Sequence, residues 1–257
     1  MLIKYQDKLL NVVNNFTLSN LYHTILLSGA KGSGKHLVCQ LISENCNIPM
    51  KDITDNLNVD TINDIYVSVQ PTLYIIDSDQ ISTKEQNIIL KFLEEPCKSA
   101  YIILLNSNNL LLDTIKNRCY KLTMGKYNKE QLKTFISYEN DVNSILFEIA
   151  ETPGQVVDYI CQDFHRMLEF SNKVFSAIKT ANLSNCLLIS DRLNFTKEKD
   201  ETKFDVDLFC KILQYQSQKL SFPVYILTNQ LVNDLLIPHI NKKQLFEKYL
   251  VELKYLI

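Results

Sequence analysis

The sequence contains 257 residues, which is enough for one or two domains with a buried core. Hydrophobic residues make up 46% and charged residues 22%, a composition typical of a soluble globular protein, and no apolar run is long enough to cross a bilayer. The formal net charge of −2 argues against a chain that binds nucleic acid through an overall basic character, so any contact with DNA must be local or shared with partners.

The cysteines and the N-terminus indicate the compartment. Seven cysteines are scattered without a C-x-x-C pair, which indicates reduced thiols rather than a disulfide framework or a zinc site. Residues 1–16 lack both the unbroken apolar core and the small-residue cleavage site of a signal peptide. We therefore expect a cytoplasmic protein without zinc.

The hydrophobic pattern changes along the chain. Apolar runs at residues 23–28, 73–76 and 101–105 predict buried strands with helices between them, which favours a parallel sheet covered by helices on both faces. From about Tyr127 onward the strand signals end and the pattern becomes helical, with a polar stretch at Thr196–Lys203 predicted as a solvated loop. The sequence therefore predicts an α/β domain, a small helical domain and a helical bundle.

A phosphate loop is predicted between the first strand and the following helix. Residues 29–35 fit the spacing G-x-x-x-x-G-K, in which backbone N–H groups surround a phosphate and Lys35 neutralises its outer oxygens. The alternative is a glycine turn that keeps this shape without a ligand. The candidate nucleotide-binding residues here are Gly29, Lys31, Gly32, Ser33, Gly34, Lys35 and His36.

Several residues that hold magnesium or activate water in an active ATPase are replaced in this sequence. His36 stands where Ser or Thr supplies a hydroxyl to Mg²⁺, and imidazole is a poor ligand for that ion; a cap or cover at the helix start is the other interpretation. Asp77 ends a strand that resembles a Walker B segment and is the candidate ligand for a weakly held Mg²⁺. Ser78 follows in place of glutamate, and Asp79 is either a substitute base or a turn residue. ATP or ADP with Mg²⁺ is the expected cofactor.

The next helix carries a distinctive motif. Ser82 and Glu85 have capping-box spacing, and an apolar helical face follows. Asn87–Pro96, NIILKFLEEP, resembles the N-A-L-L-K-x-L-E-E-P segment of bacterial clamp-loader subunits, which are AAA+ proteins. Further resemblances to this family span about residues 1–160 and occur at Leu21–Thr24, Val59–Ile65, Leu112–Cys119 and Glu151–Gln155.

The resemblance implies an AAA+ P-loop parallel-sheet domain at residues 1–123, a helical lid at 124–165 and a helical collar for oligomerisation at 166–257. It implies that Asn106 is a sensor of the γ-phosphate, for which a strand-end turn former is the alternative. Arg118 matches the arginine of the family's S-R-C motif, which acts in trans on a neighbour's ATP; a surface salt-bridge arginine is the alternative. Gln155 stands where the lid carries its sensor arginine, and the family's zinc module is missing.

The resemblance and the missing groups together imply a stator of the delta-prime type. Such a subunit joins other clamp-loader subunits in a hetero-oligomeric ring that loads a sliding clamp onto primer–template DNA, in a bacterial or phage-infected cell. The alternative is a catalytically active small subunit with DNA-dependent ATPase activity. A stand-alone P-loop kinase has no use for the helical C-terminal half or for the motif around Arg118.

Overall fold

The computed structural model describes residues 3–107, 111–136, 141–162, 164–180, 182–189, 206–235 and 241–257. The polar stretch Thr196–Lys203 lies outside these ranges. The chain divides into two compact units, the first formed by Met1–Phe135 with Glu151–Gln155 and the second by Ile136–Ala150 with Val156–Ile257. Within the described ranges, no helix combines the length and the apolar character needed to cross a membrane.

The first unit is built on a five-stranded parallel sheet. Its strands are β1 Thr24–Ser28, β2 Met50–Asp52, β3 Thr72–Asp77, β4 Ala100–Asn106 and β5 Tyr120–Thr123. Their order across the sheet is β2-β3-β4-β1-β5, and every pair is parallel. The three runs predicted as strands correspond to β1, β3 and β4, and each is buried along almost its whole length, as a sheet covered on both faces requires.

Helices cover the two faces of this sheet. They are α1 Asp7–Val13, α2 Lys35–Cys46, α3 Val59–Val67, α4 Thr83–Glu94, α5 Asp113–Lys116 and α6 Lys129–Lys133, with a 3₁₀ turn at Thr54–Asn56. Alternate strand residues face opposite cores. On β4, Ile103 packs in the core that includes residues of α1 and α2, whereas Leu104 packs in the core that includes residues of α3 and α4.

The strand register defines two edges of the sheet. Ser28 at the end of β1 lies opposite both Asn106 of β4 and Thr123 of β5, while Tyr120 at the start of β5 lies opposite Ile25. The segments that follow β1, β3 and β4 therefore leave from the carboxyl edge. The segment that precedes β5 enters at the amino edge.

Helix α4 is fixed at both ends. The Ser82 hydroxyl accepts a hydrogen bond from the N–H of Glu85, and the Glu85 carboxylate accepts one from the N–H of Ser82 at 2.7 Å, which forms the predicted capping box. The N–H of Ser82 and, second, its hydroxyl, which donates to the same carboxylate at 2.8 Å, lower the pKa of Glu85. At the other end, the Tyr66 hydroxyl reaches the carbonyls of Lys91 and Glu95 at 3.2 and 3.0 Å.

The second unit is helical throughout its described residues. Its helices are α7 Asp141–Ile149, α8 Pro153–Cys161, α9 Phe164–Thr180, α10 Leu183–Leu187, α11 Val206–Gln218, α12 Phe222–Leu235 and α13 Lys242–Leu256, of which α8 begins within the first unit's segment. Residues from α9, α11, α12 and α13 form one core, in which the Thr228 and Tyr249 hydroxyls are 3.0 Å apart. The boundaries 1–123, 124–165 and 166–257 stay a prediction.

The N-terminal segment is anchored by one buried amide. Gln6 is 3% exposed, its Nε2 donates to the carbonyl of Gly125 at 3.1 Å, and its Oε1 accepts from the N–H of Gly125 at 2.6 Å. One side chain thus satisfies both the N–H and the carbonyl of Gly125, which lies two residues after the end of β5. Tyr5, immediately before it, has a left-handed backbone with φ of 62°.

We expect Gln6→Ala to lower the free energy of unfolding of the first unit by about 1–3 kcal/mol, because both groups of Gly125 lose their partner. Urea unfolding followed by circular dichroism measures the change. Gln40→Ala is the matched control, since Gln40 is exposed and bonded to Glu44 one turn away, and it should change stability by less than about 0.5 kcal/mol. Equal effects of the two substitutions would contradict the anchoring role.

Candidate functional site

The loop between β1 and α2 has the backbone of a phosphate-binding loop. Gly32 and Gly34 adopt positive φ angles of 80° and 99°, which glycine accepts without strain. A Cβ on Gly29 would lie 2.6 Å from the Cβ of Met124, so that position also needs glycine. The Ser33 hydroxyl is buried without a hydrogen-bond partner among the described residues, which leaves a polar group for a phosphate oxygen.

Lys35 occupies the centre of this loop. Its side chain is largely buried, and its Nζ donates to the carbonyls of Gly29 and Ala30 at 2.7 and 3.2 Å and to the hydroxyl of Ser107 at 2.7 Å. Burial lowers the pKa of Lys35, and the nearby Asp79 and Asp77 carboxylates partly oppose that shift. Sequence reasoning missed Ser107, whose signal is a hydroxyl directly after Asn106 at the end of an apolar strand.

The acidic residues at and after the end of β3 accept hydrogen bonds from neighbouring groups of the chain. Asp77 accepts hydrogen bonds from the N–H of Asp79 at 3.1 Å and from Nε2 of Gln80 at 2.7 Å, one on each carboxylate oxygen. The Asp79 carboxylate accepts from the N–H of Ser107 at 2.9 Å. Asp79 therefore joins the ends of β3 and β4, as a residue with a structural role does. Ser78 is buried, and its hydroxyl donates to the carbonyl of Leu105 at 2.7 Å.

The fit to magnesium is poorer than the fit to phosphate. His36 is exposed at the start of α2 and offers no hydroxyl, so Asp77 is the one carboxylate among the predicted ligands. In the described ranges, no group of three or more His, Cys, Asp or Glu side chains is arranged to hold a metal ion. Asn106, the predicted sensor, is buried opposite Ser28, and its carbonyl accepts from the N–H of Gly29 at 3.0 Å.

The segment Glu151–Gln155 lies against the phosphate loop within the first unit. The Thr152 hydroxyl donates to the carbonyl of Lys31 at 2.8 Å, and the N–H of Gly154 donates to the carbonyl of Gly32 at 3.0 Å. The Gln155 side chain accepts from the N–H of Glu151 at 2.8 Å. It thus bonds within its own segment and carries no positive charge for a phosphate.

Arg118 lies away from these residues. It precedes β5 by two residues and therefore stands at the amino edge of the sheet, while residues 29–36, Asp77 and Asn106 meet at the carboxyl edge. Its guanidinium is 3.2 Å from the Glu94 carboxylate and donates to the carbonyl of Thr114 at 3.0 Å. The structure thus joins the predicted nucleotide-binding residues and separates Arg118 from them.

Comparison with known proteins finds similar sequences for part of the chain. The family model described as DNA polymerase III, delta subunit, matches residues 39–128. The DNA polymerase III subunit gamma of Buchnera aphidicola subsp. Schizaphis graminum is 25% identical over 162 residues, a match that covers 49% of this chain and 45% of that protein. The chain thus spans about half the length of this curated relative.

Solved structures match almost the whole chain. A DNA polymerase III gamma subunit-related protein from Thermotoga maritima has a TM-score of 0.60 at 14% identity, covering 97% of this chain and 98% of that one. A point mutant of RuvB from Thermotoga maritima has a TM-score of 0.50 at 16% identity, covering 96% and 87% of the two chains. The predicted fold, a P-loop parallel-sheet domain followed by a helical region, is confirmed. The chain is thus similar to subunits of DNA polymerase III, over part of its sequence and over almost its whole fold.

The contact between Gly154 and Gly32 can be tested by adding one methyl group. A Cβ on Gly154 would lie 2.6 Å from the Cα of Gly32, so Gly154→Ala must displace the phosphate loop and should cost about 1–3 kcal/mol of stability. Hydrogen exchange of residues 29–34, measured by mass spectrometry, should become faster. Val157→Ala on the exposed side of α8 is the control and should leave this exchange unchanged. Unaltered exchange in Gly154→Ala would mean that this contact does not hold the loop.

Proposed function

We propose that this chain is a delta-prime-like stator of a clamp loader. It assembles with other clamp-loader subunits in a hetero-oligomeric AAA+ ring that loads a sliding clamp onto primer–template DNA during replication. Its Arg118 acts in trans on the ATP of a neighbouring subunit. The observation that carries the proposal is the position of Arg118 at the edge of the sheet opposite its own phosphate loop.

Strand geometry supports action on a neighbour. Three residue steps within β5 separate Tyr120 from Thr123, which is level with the end of β1, and each step in a parallel strand advances about 3.3 Å. The start of β5 thus lies about 10 Å from the level at which the phosphate loop begins, and Arg118 precedes it by two residues. Its side chain is bonded to Thr114 and Glu94 near its own edge. A phosphate that meets Arg118 therefore belongs to another subunit.

The chemistry of Arg118 fits that role. Its guanidinium is permanently charged and its planar N–H groups match the oxygens of a phosphoryl group. The side chain is 41% exposed and paired with an exposed carboxylate, so water screens that pair and little free energy holds the arginine to its own chain. An arginine supplied in trans stabilises the charge that develops during phosphoryl transfer by about 10³–10⁵ in rate.

We further propose that the chain's own loop binds nucleotide weakly and does not turn it over. The loop N–H groups, the Ser33 hydroxyl and Lys35 would hold the phosphates, but the Lys35 ammonium must first leave the carbonyls of Gly29 and Ala30. A magnesium ion, when bound, supplies charge neutralisation at the phosphates, and Asp77 is the residue to hold it.

Two groups of an active ATPase are replaced, namely the glutamate that activates water and the lid arginine that contacts the γ-phosphate. Ser78 stands in the position of the glutamate base and Gln155 in that of the lid arginine. Loss of a positioned base alone costs about 10²–10⁴ in rate. The alternative function, a catalytically active small subunit, requires another residue to serve as base. A protein that acts on primer–template DNA in this way would be located in the cytoplasm of a bacterial or phage-infected cell.

Binding and turnover by the isolated chain separate these two functions. We expect ATP hydrolysis at background rate, unchanged in Lys35→Ala, because the base is missing in both proteins. Equilibrium dialysis with ATP measures binding independently, and Lys35→Ala should weaken whatever binding the wild type has. Rapid turnover that disappears in Lys35→Ala, with DNA and clamp present, would favour the active-subunit alternative.

The trans role of Arg118 is tested in a loader reconstituted with its native partners. Arg118→Ala should leave assembly intact in gel filtration, while clamp-stimulated hydrolysis at the neighbouring site falls by about 10³-fold or more, because the charge in the transition state loses its partner. Lys116→Ala removes a cation from the short helix that precedes Arg118 and is the control, with hydrolysis expected near wild type. Full hydrolysis by an intact Arg118→Ala ring would return Arg118 to the role of a surface salt-bridge residue.

A further inference from the structure

We infer that Glu94 is a positioning residue for Arg118. Glu94 is the last residue of α4, and its Oε1 lies 3.2 Å from one terminal nitrogen of the guanidinium. The other terminal nitrogen donates to the carbonyl of Thr114 at 3.0 Å. Glu94 and Thr114 together contact both terminal nitrogens and bias the plane of the guanidinium. This inference rests on the proposed function of Arg118.

The two anchors leave part of the guanidinium available for a ligand. A guanidinium carries five N–H donors in a fixed plane, and the contacts described within this chain use one on each terminal nitrogen. Three donors therefore stay available for phosphate oxygens while Glu94 and Thr114 keep their bonds. Glu94 can thus orient Arg118 without being displaced when the arginine meets a phosphate.

Glu94 lies on a helix that is held at both ends. The capping box fixes the start of α4, the Tyr66 hydroxyl lies within hydrogen-bonding distance of the carbonyls of Lys91 and Glu95 at its end, and Phe92 is fully buried. The Gln86 side chain also accepts a hydrogen bond at 3.0 Å from the N–H of Leu112, just before α5. Helix α4 is therefore connected to the segment that carries Arg118 at two separate points.

Arg118 needs such a support. It follows α5, a helix of four residues, and its long side chain is 41% exposed. Without Glu94, the bond to Thr114 on its own segment is the remaining contact among the described residues, and the side chain would sample several rotamers. The pair is too exposed to stabilise the fold measurably, since such pairs contribute little. The effect of losing this pair should therefore appear in the rate of ATP hydrolysis at the neighbouring subunit and not in the free energy of unfolding.

The test compares five variants, among them Arg118→Ala, in the loader reconstituted with its native partners. Glu94→Ala should lower the kcat of clamp-stimulated ATP hydrolysis about two- to five-fold at unchanged KM, which corresponds to the worth of one exposed pair. Glu94→Gln keeps a hydrogen-bond acceptor and should restore most of the rate. Glu95→Ala removes the neighbouring carboxylate and should match wild type. Glu94→Ala combined with Arg118→Ala should be no slower than Arg118→Ala alone.

Two results would overturn the inference while the proposed function stands. One is a normal rate in Glu94→Ala when Arg118→Ala is defective. The other is a further loss when Glu94→Ala is added to Arg118→Ala, because Glu94 would then act independently of the arginine. A normal rate in Arg118→Ala instead refutes the proposed function, and the inference with it. Melting temperatures of all variants should agree, since Glu94 is exposed at 57%.

Discussion

The parallel pairing of the five strands is the constraint on which the rest of the structure depends. Because β3, β4 and β1 are neighbours and all three are parallel, the phosphate loop, Asp77 and Asn106 must share the carboxyl edge. The same register requires the segment before β5 to enter at the amino edge. One arrangement of backbone hydrogen bonds thus brings the predicted nucleotide-binding residues together and separates Arg118 from them.

At the carboxyl edge, the chain satisfies its own polar groups. Lys35 bonds to two carbonyls of its loop and to Ser107, and Ser107 in turn donates its N–H to Asp79. A nucleotide phosphate must compete with these internal bonds for Lys35, whereas the Ser33 hydroxyl has no partner among the described residues. This balance, and not the loop spacing alone, determines whether the loop retains a ligand.

The sequence was sufficient for the features that depend on local patterns. The apolar runs predicted β1, β3 and β4, and the spacing of glycines and lysine predicted the phosphate loop, because burial on both faces and positive φ angles restrict the residue type.

Strand β2 was missed because its three residues, Met50–Asp52, are all exposed and carry no apolar run. The four residues of β5 gave no separate strand signal either. Contacts between distant residues, such as Gln6 with Gly125 or Lys35 with Ser107, could not be predicted from the sequence. They follow from the order of the strands in the sheet rather than from any periodicity along the chain.

The central claim concerns where Arg118 acts, and a structure of the assembled ring with an ATP analogue bound tests it most directly. The account predicts that the guanidinium nitrogens lie within hydrogen-bonding distance, about 2.7–3.2 Å, of a γ-phosphate oxygen held by the adjacent subunit. A guanidinium that faces solvent in the complete ring, or that contacts the nucleotide of its own chain, would contradict the account.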